Sequence, residues 1–143
     1  MPRFFRLEDA QRLLPELEPV VRNITSLKKS FEEVDLELRA YSERITLLGG
    51  TFVPREELAL KRRNRDLLAS SLKKSIDTVH QHGCVLKDLG LGLVDFPTLF
   101  RGEEVYLCWK LGEPAIEFWH GMTEGFRGRK PIDKDFLENH RGE

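Results

Sequence analysis

The sequence predicts an α+β fold, in which a long antiparallel helical hairpin, coiled-coil-like, carries a small C-terminal antiparallel β-subdomain packed at its open end. Three observations carry that prediction. Apolar residues from Val20 to Leu48 recur in alternating steps of four and three, and the glycine pair Gly49–Gly50 interrupts the helical pattern midway. After Gly83 the helical period vanishes and short strand-like runs begin. The expected organisation is residues 1–83 for a leading helix plus the hairpin, 84–132 for the sheet and 133–143 for a polar tail, as one cooperative unit.

Ahead of the main seam, "FFRLEDAQRLLPELEP" from Phe4 to Pro19 reads as a short leading helix in which Pro15 and Pro19 each remove a backbone donor and mark an interruption or kink. Phe4, Phe5, Leu13 and Leu14 are expected to pack at the hairpin's open end. The main seam follows as Val20, Ile24, Leu27, Phe31, Val34, Leu38, Tyr41, Ile45 and Leu48. This is a heptad a/d pattern, and a single helix cannot bury it. Gly49 and Gly50 stop the helix, and Pro54 suits the first turn of the next, where Glu56 and Glu57 complement the helix dipole. The second helix should reach His82 and end at Gly83, with a patchier apolar set of Leu58, Leu60, Leu67, Leu68, Leu72, Ile76 and Val79. The apolar excess of the first helix predicts a homodimer, or another protein partner, over the hairpin.

Beyond Gly83, "CVLKDLGLGLVDFPTLF" is β-rich and broken by Gly90, Gly92 and Pro97. "EVYLCWK" and "AIEFWH" read as strands joined by the turn "LGEP". Pairing Lys110 with Ala115 sets Cys108 opposite Glu117, Tyr106 opposite Trp119 and Val105 opposite His120. His120 then joins Val105, Leu107, Trp109, Ile116 and Phe118 on a core-like face, while Cys108 and Glu117 lie on the mixed one. A piece of roughly fifty residues is too small to stand alone, so it should dock near Ile76 and Val79. The tail "DKDFLENHRGE" is expected to fray.

Charge and composition exclude several classes. A net charge of -1 over 143 residues exerts no long-range pull on nucleic acid or an anionic membrane. The first residues contain no uninterrupted apolar run, so neither a signal peptide nor a membrane span is expected. Cys84 and Cys108 make no disulfide framework, which suits reduced thiols and a cytoplasmic location. "KRRNR", Lys61 to Arg65, folds back opposite the acidic stretch holding Glu37 and Glu43, and ion pairing explains it without RNA.

Candidate chemistry gathers in two places. In "HQHGC", His80, His82 and Cys84 would share one face of an extended segment. A helix running into Gly83 instead splays positions two apart by about 200°, which argues against a metal there. Cys108, Glu117 and His120, with Asp88 or Asp95, are donor types for a divalent metal, although the pairing above turns His120 away from Cys108. Asp95, Cys108, Glu113 and His120 hold the groups for acid–base or nucleophilic work. Against this, Cys108 serves equally as a small apolar filler and His120 as a core-edge histidine bonded to Asp95. In "GFRGRKP", Arg127, Arg129 and Lys130 stand among glycines, as an anion site or as partners for Asp88, Asp95, Glu113 or Glu117.

The motifs have a recognisable order: F-x-L-E-x-A-x-x-L-L-P from Phe5 to Pro15, K-D at Lys87–Asp88 and G-L-V-D-F from Gly92 to Phe96. L-C-W at Leu107–Trp109, L-G-E at Leu111–Glu113, W-H at Trp119–His120 and G-F-x-G-R from Gly125 to Arg129 follow. In this the chain resembles a bacterial family catalogued as domain of unknown function 2203, over essentially its whole length. Arg6 departs from the pattern, where related sequences often carry a threonine helix cap. The resemblance implies a shared α+β fold and no assigned activity. It singles out Lys87, Asp88, Asp95, Glu113, His120 and Arg129 as a compact polar network, structural or ligand-binding. The first functional expectation is a cytoplasmic interaction or self-association module without a cofactor. The alternative is a metal-binding protein, or a small enzyme with or without a divalent metal, that uses Asp95, Cys108, Glu113, Glu117 and His120.

Overall fold

The seven-residue period of the first half becomes two packed helices, α1 (Leu7–Leu47) and α2 (Arg55–Gln81). The computed structural model describes residues 3–47, 49 and 55–141. Gly49 takes φ +69°, a conformation that a β-carbon resists, and its N–H bonds the Thr46 carbonyl at 3.2 Å, so it terminates α1 as expected. Leu48, Gly50 and Pro54, assigned above to the seam and the turn, lie outside the described residues.

The interruption offered at Pro15 and Pro19 does not occur, because both lie inside α1, which absorbs the leading segment. Each proline forfeits one i−4 bond, and both are solvent-exposed, where water can satisfy the freed carbonyls. Burial holds the helix together across them. Ala10, Leu14, Leu17, Val21 and Ile24 are buried against the sheet, each large side chain contributing about 1.5–3 kcal/mol. α1 thus carries two stripes, this one and the a/d seam toward α2. The basic run on α2 is answered in part: Lys61 pairs with Glu37 as expected and Arg65 lies 3.9 Å from Asp35, while among the described residues Glu43 joins no ion pair with it. From α2, Val79 is fully buried and Leu72 and Ile76 pack on the core, so the sheet docks at the open end of the hairpin.

The sheet is antiparallel, in the order β1 (Val85–Asp88), β2 (Leu93–Phe100), β3 (Glu103–Lys110), β4 (Phe118–Gly121) and β5 (Lys130–Pro131). A last strand, β6 (His140–Arg141), pairs with β2 beyond the reach of β1, on the same edge. The Phe5 backbone fills the gap between them: its N–H donates to the Pro97 carbonyl at 2.7 Å, and Thr98 Oγ1 donates to the Phe5 carbonyl at 2.6 Å. Pro97 therefore sits where no N–H is needed. Gly92, at φ +69°, lets the β1–β2 turn press on α1 and on the end of β3, since a β-carbon there would stand 3.0 Å from Val21 Cγ1 and 2.7 Å from Leu111 Cβ.

Two further expectations are corrected. First, β3 and β4 pair one residue away from the predicted register: Cys108 faces Phe118, Leu107 faces Trp119 and Tyr106 faces His120. The connection is wider than "LGEP". Lys110 and Glu113 close a turn through Glu113 N–H to the Lys110 carbonyl (3.0 Å) and Lys110 N–H to Glu113 Oε1 (2.7 Å). Ile116 then leaves the sheet, because the Gln11 amide of α1 pairs with its backbone N–H at 3.0 Å and its carbonyl at 3.2 Å. A one-residue slip exchanges the faces of every side chain that follows. Trp119 turns inward onto Phe100 and Phe136, and His120 turns outward.

Second, the tail does not fray. Asp133 caps a short helix, α3 (Lys134–Asn139), by accepting the Phe136 N–H at 2.9 Å, and the Phe136 ring is fully buried against Phe100, Trp119 and His140. His140 also supplies what Arg6 does not, because its Nε2 accepts the Leu7 N–H at the start of α1 (2.8 Å). With Nε2 accepting, the ring proton sits on Nδ1, 2.9 Å from Thr98 Oγ1. Burial pushes the His140 pKa below 6.5, and the Arg6 charge adds to this against a backbone bond at Leu99. Protons therefore bind the unfolded chain first, and stability falls as pH drops from 6.5 toward the lower folded value. Urea midpoints from pH 7.5 to 5 check this, and His140→Gln should flatten that limb.

Candidate metal centre

Strand alternation sends Val94, Phe96, Leu107 and Trp109 toward the helices and Asp95 and Cys108, which are cross-strand partners, to the far face. The register of β4 adds His120 to that face. The three side chains converge, with one carboxylate oxygen, the thiol sulfur and one imidazole nitrogen all within 4.8 Å of one another. Each is almost fully shielded from solvent, with exposures of 2% for Asp95, 1% for Cys108 and 3% for His120.

What covers them comes from the C-terminal half of the sheet. The Arg129 guanidinium lies 4.0 Å over the Phe118 ring and 4.7 Å from the Phe126 ring, forks onto Glu113 through two bonds of 2.9 Å, and places Nη1 3.9 Å from Cys108 Sγ. Burial opposes ionisation of Glu113, yet the Arg129 fork and the Lys110 N–H hold its carboxyl below the ordinary value. Tyr106 packs its ring 5.5 Å from that of His120, with the Lys87 ammonium 5.3 Å above it.

The electrostatics turn on His120. Its Nδ1 lies 2.8 Å from the Gly121 carbonyl, which can only accept, so Nδ1 carries a proton. Its Nε2 lies 3.0 Å from Asp95 Oδ1. Burial pulls the pKa down, but the bond to Asp95, the neighbouring Cys108 and the Gly121 carbonyl outweigh it and lift the value to about 10. The resting arrangement is an imidazolium against a carboxylate. A nucleophile relay sets the acid and the thiol on opposite ring nitrogens. Here Nδ1 is committed to the backbone, leaving Nε2 for both Asp95 and Cys108. A histidine with one nitrogen fixed by a carbonyl can serve as a metal ligand through the other as well as in an ion pair.

The remaining sequence candidates are placed elsewhere. Glu117 is exposed, and its backbone carbonyl is taken by the Ile132 N–H; the carboxylate beside Cys108 and His120 belongs to Asp95. Asp88 holds the β1–β2 turn by accepting the Leu91 N–H at 2.8 Å. Glu113 and Arg129 pair with each other next to Cys108, and Lys87 stands over Tyr106. His80, His82 and Cys84 do not converge: His80 faces the Leu86 N–H, His82 faces Glu16, and burial pushes the Cys84 thiol up to about 12. Gln11, Tyr106 and the Gly121 carbonyl were not foreseen as parts of the site. Only Tyr106 carried a signal, its place on the strand beside Cys108.

The fold and this cluster define an α+β protein in which a helical arm carries a small sheet with a buried carboxylate–thiol–imidazole group. The chain belongs to the family described as Uncharacterized conserved protein (DUF2203), whose model matches residues 3–132. No curated protein and no solved structure matches the chain. Among the described residues, no helix is long and apolar enough to cross a membrane.

Proposed function

We propose that the protein binds a thiophilic divalent cation of the zinc class through Asp95 Oδ, Cys108 Sγ and His120 Nε2. The observation that supports this reading is the convergence of one oxygen, one sulfur and one nitrogen within 4.8 Å, in a site closed to solvent. These donor types suit zinc and its neighbours better than calcium or magnesium, which prefer oxygen. Charge is conserved when the ion enters. It displaces one proton from His120 Nε2 and one from the Cys108 thiol, so the site is formally neutral before and after. Glu113 meanwhile neutralises Arg129, which stays beside the sulfur.

The test uses protein purified without a histidine tag and titrated with Co2+, then with Zn2+ against a chromophoric chelator. A cobalt spectrum of low coordination number with a sulfur charge-transfer band is expected at a ratio of one ion per chain. Cys108→Ser should lose the sulfur band. Because two protons leave, apparent affinity should rise by about a hundredfold per pH unit while both groups are protonated. Absence of a cobalt spectrum, together with no stoichiometric metal by elemental analysis, would overturn the reading.

A further inference from the structure

The arm beyond the core carries an apolar stripe that the hairpin itself does not use. Past Ile24 on α1 only Leu38 of the described seam residues is buried, while Leu27, Phe31, Val34, Tyr41 and Ile45 stay half-buried because α2 covers the seam from one side. Leu60 and Leu67, one heptad apart on α2, are 67% and 60% exposed. Ala40 and Leu47, one heptad apart on α1, are exposed as well. Leu60, Leu67 and Ala40 each immediately precede a half-buried residue of the arm (Lys61, Leu68 and Tyr41), and Leu47 lies one heptad beyond Ala40, so all four occupy the same heptad position, and in an antiparallel hairpin that position lies on one side of the arm. Leucines spaced in this way on a charged helix are a second packing stripe.

Charge identifies the occupant. Glu32, Glu33, Asp35 and Glu37 lie in the second half of α1, and Lys61, Arg62, Arg63 and Arg65 in the first half of α2. The pairs Glu37–Lys61 and Asp35–Arg65 put these runs at the same level of the arm. Among the described residues, Glu33, Arg62 and Arg63 have no ion pair within the chain. A surface acidic on one helix and basic on the other at the same height complements itself across a twofold axis.

We propose that a second copy of this chain seats on the stripe formed by Ala40, Leu47, Leu60 and Leu67, with α1 of each arm against α2 of the other in a four-helix bundle. Glu33 of each copy then meets Arg63 of its partner. The contact is independent of the cation site, which lies on the sheet.

Sedimentation velocity of the full chain, with circular dichroism as a folding control, tests this. The parent chain should dimerise at micromolar concentration. Glu33→Lys and Arg63→Glu, each alone, should weaken dimerisation about a hundredfold through like-charge contacts. An equimolar mixture of the two variants should recover a dimer, because both cross-pairs are then of opposite sign, and Leu60→Gln/Leu67→Gln should be monomeric. A parent chain that is monomeric at tens of micromolar overturns the proposal. So do charge variants that dimerise as the parent does, or that fail to recover when mixed.

Discussion

Replacing Asp95 with alanine lowers stability at pH 7 by about 3–5 kcal/mol, the cost of leaving a buried charge without its partner. The His120 imidazolium is held by Asp95 Oδ1 at 3.0 Å on one side and by a backbone carbonyl on the other. Removing the carboxylate leaves the ring either charged and unpaired or forced to shed its proton. The two outcomes separate by pH. In the parent chain the His120 contribution is fully present below pH 6.5 and is lost as pH rises through about 10, since the folded state holds the proton more tightly. Asp95→Asn, which keeps the shape, should flatten that alkaline limb and bring the His120 titration down by several units in an NMR experiment. An Asp95→Ala chain as stable as the parent from pH 6 to 9 would show that no ion pair operates there.

Phe136→Ala is expected to cost about 3–5 kcal/mol, as for a large aromatic deleted from a packed interior, and to lower Tm by roughly 10 °C. Phe136 stacks on Phe100 at 5.0 Å, on Trp119 at 5.0 Å and on His140 at 4.9 Å, and so joins the end of β2, the inner face of β4 and the cap of α1. Leu137→Ala, one residue along on the exposed side, should change stability by less than about 0.5 kcal/mol. Differential scanning calorimetry of the two variants makes the comparison. Equal effects would mean that the C-terminal segment lies loosely on the sheet.

The helices were legible because their signal is local. The alternating steps of four and three from Val20 to Ile45, and Gly49 at the turn, report a period and a stop that the chain carries within itself. Pro15 and Pro19 misled because a lost backbone bond is a local cost. Here it is outweighed by Leu14, Leu17, Val21 and Ile24 packing on strands some eighty residues further along. The C-terminal helix had a signal in Asp133, an N-cap ahead of Phe136, but a single phenylalanine does not disclose how many rings await it.

The candidate site shows the division most clearly. Sequence alone determined which donors are available, since Asp95, Cys108 and His120 are each strand residues bounded by turns. It also determined that Asp95 and Cys108 belong to a small sheet at the hairpin's open end. Whether His120 joins them rests on a single-residue choice of register between β3 and β4. That choice is made by the Gln11 amide on α1, which draws Ile116 out of the sheet from 105 positions away. Cross-strand register has a period of two, so one extra residue in a loop decides between a buried hydrocarbon edge and a converging carboxylate, thiol and imidazole, and only the packed tertiary structure supplies that residue.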